Sequence, residues 1–404
     1  MGDIVNFEKG RSPFSPGRPV PPEMFVGREE QIGRMIRSVS QVVRGKQENL
    51  FVTGEYGIGK SSLVAFVRSL AEQKHKVAGF HVLLGGVTSV EGMAQHVVSR
   101  VIEQAHRSNF LDRITGLLGK YVDSVELFGV KLNVGALQSD APQIAQDFLP
   151  FLSRLWVTLK DSYSGMALYL DDLNGITRSP DFAALIKSLV DEIATSGQDF
   201  PLLLVLAGVP ERRMEMLANK PPVERIFDLV ELSPLSRADV EEFYARAFES
   251  ANMSVDKDAL EILVYYSGGL PKLMHELGDA VFWTDKDNVV DHRDTMSGLL
   301  EAASIVGKKY FEPISQALRS SDYHSILKKL GGLKVDLIFR KAELEKGLNE
   351  AERRKLNNFL QRMKRLHALT PGDVRGEWAF PNRLVRVYLL MESRTPNNKS
   401  RLGC

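Results

Sequence analysis

The sequence has only one cysteine, Cys404, among its 404 residues. A single thiol excludes an internal disulfide and any cysteine-based metal cluster. The eight histidines are scattered without the spacing of a metal site, and no Ser-His-Asp or Cys-His set of nucleophilic residues is evident. The composition therefore gives no support to a disulfide-stabilised, zinc-binding or triad-hydrolase class.

Long apolar runs are also missing. No stretch approaches the roughly 18 residues that a membrane-spanning helix needs, and the N-terminus lacks a signal-peptide pattern. We therefore expect a cytoplasmic protein without a membrane segment. The net charge is only +1, but residues 340–394 carry 13 Lys and Arg against 7 Asp and Glu, which places +6 there and −5 on the remainder. The basic charge is thus concentrated near the C-terminal end.

A glycine-rich motif is the most specific pattern that is present. Residues 54–61 fit the P-loop pattern G-x-x-x-x-G-K-[ST], between an apolar run and a helical pattern. The glycines let backbone N–H groups approach a triphosphate, Lys60 can reach the β- and γ-phosphates, and Ser61 can ligate Mg²⁺. The predicted nucleotide-binding residues here are Gly54, Glu55, Tyr56, Gly57, Ile58, Gly59, Lys60, Ser61 and Ser62.

An acidic pair follows a later apolar run. Residues 166–170 are apolar and lead into Asp171 and Asp172, about 110 residues after the P-loop, as in a Walker B motif. In such a pair one carboxylate holds Mg²⁺ and the next polarises the attacking water. We assign Asp171 to the metal and Asp172, with Lys60, to catalysis. The alternative is a strand that ends in an acidic turn.

Five apolar runs that alternate with helical patterns predict an α/β fold, a parallel sheet covered on both faces. The runs lie at 49–53, 77–84, 166–170, 202–206 and 227–232. Residues 125–134 alternate like a half-exposed hairpin and are interpreted as an insertion. The chain becomes helical after Pro234. Residues 1–20, rich in Pro and Gly, predict a flexible leader.

Four motifs occur in a fixed order: Phe25-Val26-Gly27-Arg28-Glu29, the P-loop, the Asp-Asp pair and Gly268-Gly269-Leu270-Pro271-Lys272. In this order the chain resembles the additional-strand P-loop ATPases of the AAA+/STAND group, near the origin-recognition and replication-initiator ATPases of prokaryotes. The resemblance implies ATP and Mg²⁺ as cofactors. It also implies four parts after the leader: a P-loop ATPase core (21–233), a helical lid (234–307), a winged helix-turn-helix domain (308–393) and a tail (394–404).

The resemblance implies further nucleotide contacts. Phe25, Val26 and Gly27 would form one wall of the adenine pocket, the alternative being a hydrophobic staple beside a solvated Arg28. Pro271 and Lys272 would approach the nucleotide from the lid. A Gly-Gly turn that closes one helix before Pro starts the next is a structural alternative there, and both interpretations can hold together.

Three departures from the family pattern suggest slow hydrolysis. Lys272 stands where a sensor arginine is usual, and it is a point charge instead of a bidentate fork. Residues 206–209, Leu-Ala-Gly-Val, offer no polar sensor at the end of the fourth strand. Asp172 stands where efficient motor ATPases carry Glu. Together these departures favour a nucleotide-governed switch over a processive motor.

Arg225 precedes the fifth strand and resembles the trans-acting arginine finger of AAA+ rings, which acts on the ATP of a neighbouring subunit. Arg212 and Arg213 are rival candidates, and an ordinary surface arginine is a third interpretation. A finger at any of these positions would require self-association.

The C-terminal pattern resembles a winged helix. A helix over 350–367 has one apolar face, while its other face is basic, and a hairpin follows it. Double-stranded DNA would be bound through residues 340–386, with Asn357 or Arg354 at base edges and Arg375 in the wing. The alternative is an intramolecular clamp or a protein contact, and Glu350 and Glu352 would dilute the basic face.

The leading hypothesis is an ATP-binding switch with weak ATPase activity. The second is a non-hydrolysing nucleotide-binding interaction module that meets a protein partner in a multi-protein bacterial defence or signalling system. A GTPase is disfavoured because no Asn/Thr-Lys-x-Asp motif follows Walker B. A small-molecule kinase would need neither the Gly-x-Pro lid nor a winged helix.

Overall fold

The computed structural model describes residues 9–18, 24–107, 148–197 and 199–395. The hairpin expected at 125–134 lies outside these residues. The chain divides into two compact units, one of residues 19–233 and the other of residues 1–18 together with 234–404. None of the described helices combines the length and the apolar composition that crossing a bilayer requires.

A five-stranded parallel sheet forms the first unit, which confirms the predicted α/β fold. Its strands are β1 (Glu48–Thr53), β2 (Val77–Leu83), β3 (Gly165–Asp171), β4 (Leu202–Gly208) and β5 (Asp228–Glu231). The helices around it are α1 (Glu29–Val42), α2 (Lys60–His75), α3 (Val90–Arg107), α4 (Phe148–Leu159), α5 (Pro180–Thr195) and α6 (Pro210–Asn219).

The three central strands are apolar on both faces because helices cover both sides of the sheet. Every residue of β3 and β4 is buried, and the same holds for the last four residues of β1. Large side chains such as Phe51, Phe80 and Phe182 fill the space between strands and helices. Burial of this kind, at about 25 cal/mol per Å² of apolar surface, is the main stabilising contribution to the unit.

The strand order of this sheet is β2-β3-β4-β1-β5. Strand β4 therefore lies between β1 and β3, with Thr53 opposite Gly208 and Leu170 opposite Leu206. All five strands are parallel, so their carboxyl ends meet at one edge of the sheet. The residues after β1 and β3 are brought to the same edge, one strand apart.

From residue 234 on, the second unit begins with helices, continues into a small sheet and ends in a helix. Its first elements are α7 (Arg237–Ser250), β6 (Ser254–Val255), α8 (Lys257–Ser267), α9 (Pro271–Thr284), β7 (Val289–Val290), α10 (His292–Val306) and α11 (Glu312–Gln316). Then follow α12 (Ser321–Gly331), β8 (Ile338–Arg340), α13 (Lys341–Lys346), α14 (Glu350–Arg365), β9 (Thr370–Pro371), β10 (Glu377–Ala379) and α15 (Arg383–Arg394). Strands β8, β10 and β9 form an antiparallel sheet in that order.

Helix α15 is fixed to several parts of this unit. A Cβ on Gly307 would lie 2.1 Å from the Tyr388 ring, and one on Gly331 would lie 2.3 Å from the Leu389 carbonyl oxygen. Only glycine permits such approaches. The buried Arg386 guanidinium also donates to the carbonyls of Gly331 and Leu333. Helix α15 is therefore fixed to the segment that follows α10 and to the end of α12.

Residues 9–18 differ from the flexible leader expected from their Pro and Gly content. Phe14 is only 4% exposed and packs against the rings of Phe243 and Phe248. Lys9 forms an ion pair of 2.7 Å with the buried Asp285. An aromatic residue within a Pro-rich segment was the signal for this docking, but its receptor lies more than 200 residues away in the sequence.

Glu352 does not dilute the basic face of α14, because it points inward and is 2% exposed. Its carboxylate accepts hydrogen bonds of 2.6 Å from Lys329 and from Ser325, and one of 2.8 Å from the Asn349 backbone N–H. Burial alone would raise the pKa of Glu352, but these hydrogen bonds outweigh it and lower the pKa to about 2. The carboxylate is thus an internal cap that links α14 to α12.

We predict that Glu352→Gln lowers the free energy of unfolding at pH 7 by about 1–3 kcal/mol, because Lys329 loses a buried partner. The folded-state pKa is below the ordinary value of 4.5, so this contribution is complete above that pH and is lost as the pH falls toward 2. The difference in the free energy of unfolding between wild type and Glu352→Gln should therefore shrink as the pH falls from 4.5 toward 2. Urea titrations at several pH values measure it.

Glu350→Gln is the matched control, because that side chain is 88% exposed. It should change the stability by less than about 0.5 kcal/mol. Equal stability of the two variants at pH 7 would contradict the capping role of Glu352.

Candidate functional site

The loop between β1 and α2 has the backbone form of a phosphate cradle. Gly54 has φ +155°, and a Cβ there would lie 2.7 Å from the Leu232 carbonyl oxygen. Gly59 has φ +97° and stands directly before α2. These angles are readily available only to glycine. The loop therefore turns sharply enough to aim its backbone N–H groups and the start of α2 at one place.

The start of α2 fits an anion. Its first turn contains Lys60, Ser61 and Ser62 and no acidic residue, so the positive end of the helix dipole is not neutralised by its own side chains. The Lys60 ammonium donates to the carbonyls of Gly54 and Glu55, at 2.8 and 2.9 Å. Burial lowers the pKa of Lys60, although Asp171 and other nearby carboxylates act in the opposite direction.

Asp171 ends β3 and is 1% exposed. Its Oδ2 lies 3.0 Å from His81 Nε2, and its Oδ1 accepts a bond of 2.8 Å from the Asp172 backbone N–H. Burial favours the neutral acid, but hydrogen bonds from His81 and Ser61 outweigh it and lower the pKa of Asp171. The carboxylate is thus ionised and lies beside Ser61, where the two oxygens form a donor set suited to Mg²⁺.

Asp172 follows in the left-handed region, with φ +57°. Its carboxylate accepts a hydrogen bond from the Asn174 side chain. The other oxygen faces Gly85, where a Cβ would lie only 2.6 Å away. Burial and the charge of Asp171 raise the pKa of Asp172, while Lys60 lowers it. The structure therefore brings Lys60, Asp171 and Asp172 to the same sheet edge.

The segment from Phe25 to Arg28 lies against α2 and the P-loop. The Phe25 ring stacks on Phe66 of α2, with centroids 4.7 Å apart. Gly27 and Arg28 both have positive φ. Arg28 is 9% exposed and donates to the Ile58 carbonyl oxygen at 3.3 Å. The alternative of a solvated Arg28 is therefore wrong.

Pro271 and Lys272 belong to the second unit, at the start of α9. The Lys272 ammonium lies 3.4 Å from the centre of the Tyr310 ring. Burial lowers the pKa of Lys272 to about 8, although Glu276 acts to raise it. The preceding Gly268 and Gly269 both have positive φ, which closes α8 before Pro271 begins α9.

The three candidate finger arginines differ in their surroundings. Arg212 donates to both carboxylate oxygens of Glu215, at 2.8 Å each. Arg213 lies 3.9 Å from Glu224. Arg225 is exposed in a short 3₁₀ turn before β5. Arg212 is thus engaged within its own chain, whereas Arg225 is presented to solvent.

Two neighbours of the acidic pair were missed in the sequence. His81 is a polar residue inside the apolar run of β2, and Asn174 follows two residues after Asp172. A polar residue near the carboxyl end of a strand next to β3 was the available signal for His81. The strand order that makes β2 the neighbour of β3 could not be read from the spacing alone.

The parallel sheet, the glycine-rich loop and the acidic pair together form the site of a P-loop protein. Comparison with known proteins shows which P-loop proteins this chain is similar to. Residues 24–205 match the model of the AAA ATPase domain family. No curated protein matches the sequence.

Several solved structures share the fold. The ORC2 protein of Aeropyrum pernix in its ADPNP-ADP complexes is 13% identical with a TM-score of 0.60, over 96% of this chain and 97% of that one. A Walker-type ATPase of Pyrococcus abyssi is 16% identical with a TM-score of 0.56, over 93% of this chain and 99% of that one. The ADP form of the ORC2 protein is 11% identical with a TM-score of 0.53, over 95% and 98%. At these identities the likeness is one of fold.

We predict that Arg28→Ala weakens the binding of ATP. The substitution removes the guanidinium that holds the Ile58 carbonyl, and hydrogen bonds from charged groups contribute about 1.5–3 kcal/mol. A dissociation constant raised about tenfold is expected, measured by isothermal titration calorimetry. Arg34→Ala is the control, because the Arg34 side chain is 43% exposed on α1. The same affinity in both variants would show that Arg28 does not support the loop.

Proposed function

We propose that the protein is an ATP-binding AAA-type ATPase that works as a nucleotide-dependent switch and hydrolyses ATP slowly. One observation carries the proposal: the P-loop and the Asp171–Asp172 pair meet at the same sheet edge, with β4 between their strands. This is the arrangement in which a cradled triphosphate reaches both a metal ligand and a carboxylate for water.

Each residue of the loop has a role in this proposal. The backbone N–H groups of residues 54–62, including Glu55, Tyr56 and Ile58, cradle the phosphates, and Lys60 exchanges its carbonyl partners for phosphate oxygens. Ser61 and Asp171 would hold Mg²⁺, which supplies charge neutralisation at the phosphates when it is bound. Asp172 orients the attacking water and accepts its proton.

The adenine would lie beside the segment of Phe25, Val26 and Gly27. The stacking of Phe25 on α2 and the anchoring of Arg28 to Ile58 support this assignment, because they fix the segment next to the P-loop. Pro271 and Lys272, at the start of α9, would sense the nucleotide from the helical lid at 234–307. A lysine with a pKa near 8 still carries its charge for the most part at neutral pH.

Three features support slow turnover. Asp172 is one methylene shorter than the glutamate of efficient motors and is already bonded to Asn174. Strand β4 ends in Ala207 and Gly208, which carry no polar group for the γ-phosphate. Lys272 offers a single charge where an arginine would offer a bidentate fork. The nucleotide would therefore persist long enough to hold one state of the switch.

The C-terminal elements support a winged helix as the output of this switch. The order α12, β8, α13, α14, β9, β10 and α15, with an antiparallel three-stranded sheet, is that of a winged helix-turn-helix. Leu356, Phe359, Leu360 and Met363 are buried, so the opposite face of α14 is solvated. Arg362, Lys364, Arg365 and the turn residue Arg375 are exposed and would contact phosphates of double-stranded DNA.

A second candidate is a non-hydrolysing interaction module that binds a protein partner, as in a multi-protein bacterial defence or signalling system. This candidate is favoured because part of the positive charge on α14 is neutralised by nearby carboxylates. Lys355 forms an ion pair of 2.5 Å with Asp322, and Arg354 lies 3.4 Å from Glu350. These two cations at the start of α14 have acidic neighbours on their own chain.

We predict that Asp172→Asn keeps ATP affinity but lowers turnover about 100-fold or more, since it removes the base while conserving shape. Lys60→Ala should instead lose ATP affinity. Calorimetry and phosphate release separate the two effects. Asp228→Asn, an exposed carboxylate on β5, serves as the control and should behave like wild type. Equal turnover in wild type and Asp172→Asn would contradict the catalytic role.

We predict that Arg225→Ala abolishes turnover only if the arginine acts on a neighbouring subunit. Mixing Arg225→Ala with Lys60→Ala should then restore part of the activity, because one subunit supplies the nucleotide site and the other supplies the arginine. Arg34→Ala, at an arginine that is 43% exposed on α1, is mixed in the same way as the matched control. Loss of activity that no mixture restores would place Arg225 outside any shared site.

We predict that the double variant Arg362→Ala/Arg365→Ala weakens binding to duplex DNA of any sequence. Each lost phosphate contact should reduce the slope of log affinity against log salt by about 1. Fluorescence anisotropy at several salt concentrations measures this. Arg246→Ala, an exposed arginine of α7, is the control. An unchanged salt slope would favour the protein-binding candidate.

A further inference from the structure

Helix α9 carries a binding groove for an extended peptide, and the chain's own residues 9–18 occupy it. This segment, called the strap below, follows α9 from its end toward its start. Lys9 donates to the carbonyls of Phe282 and Asp285 and pairs with the Asp285 carboxylate. Ser12 donates to Asp279 at 2.6 Å. Contacts therefore recur at successive turns of the helix.

Phe14 is the anchor of the strap. Its ring centre lies 5.0 Å from that of Phe248, 5.9 Å from that of Phe243 and 6.3 Å from that of His275. The floor of this pocket is Gly278, where a Cβ would lie only 2.3 Å from Phe14 Cε1. A glycine inside a helix costs about 1 kcal/mol relative to alanine. The pocket is thus shaped for an aromatic ring at the expense of helix stability.

His275 fixes the backbone of the strap. Its Nδ1 accepts the N–H of Ser15 at 3.1 Å, so the ring is neutral with its proton on Nε2. Burial lowers the pKa of His275 to about 4, in agreement with a neutral acceptor. Aromatic packing, a backbone hydrogen bond and the Lys9 ion pair together define a specific site instead of a chance contact.

We propose that the strap is a brake on the nucleotide switch. Six peptide links join Arg18 to Met24, at the start of the adenine-side segment, and covalent geometry limits a chain of that length to a reach of at most about 20 Å. The docked strap is therefore a short second tether between that segment and α9, the helix that begins with Pro271 and Lys272. Release of Phe14 lengthens the tether and frees α9 to move, which speeds the loss of nucleotide. This braking role rests on the function proposed above, whereas the docking of the strap does not.

Two variants of the full chain test the proposal from opposite sides. Phe14→Ala removes the anchor, and Gly278→Ala fills its pocket while increasing helix propensity. Gly10→Ala is the matched control, because a Cβ there meets nothing within 4 Å. Hydrogen exchange of residues 9–18 reports docking, and the dissociation rate of a fluorescent ADP analogue reports braking.

We expect both variants to lose protection at Ser15 and to release ADP several-fold faster than wild type and the control. Protection that persists in Gly278→Ala would overturn the docking site. Lost protection with unchanged ADP release would overturn the brake alone. Absence of ADP binding in wild type would overturn the proposed function and the brake together, and the exchange data would still decide the docking.

Discussion

The insertion of β4 between β1 and β3 is the constraint on which the site depends. Because the strands are parallel, it sets the P-loop and the Asp171–Asp172 pair at one edge with the width of a single strand between them. A triphosphate cradled at the start of α2 can then extend toward both carboxylates. The contacts of His81 and Asn174 act on this arrangement by fixing the orientation of the acidic pair.

At three glycines of the second unit, another segment of the chain lies too close to leave room for a side chain. Gly307 and Gly331 admit α15, and Gly278 admits the Phe14 ring. Because each glycine has no side chain, a segment that is distant in the sequence can pack directly against its backbone. Helix α10 packs against both α9 and α15, so these three helices form one packed group within the unit.

Much of the fold and the centre of the site could be predicted from the sequence, for local physical reasons. The P-loop depends on adjacent residues, and the five strands are apolar runs whose observed bounds lie within a few residues of those expected. The contacts that were missed are long-range: His81 with Asp171, Arg28 with Ile58 and Phe14 with α9. Each needs the strand order or the helix packing before its partner can be identified. The orientation of Glu352 was misjudged for a different reason: each residue turns an α-helix by 100°, so Glu350 and Glu352 lie on nearly opposite faces of α14.

The measurement that tests the account most directly is a comparison of ATP binding and ATP turnover in one preparation of the wild-type protein with Mg²⁺. The account predicts saturable ATP binding together with hydrolysis that is slow beside the median enzyme rate of about 10 per second. A failure to bind ATP would contradict the central claim. Rapid multiple turnover would retain the site but contradict the switch.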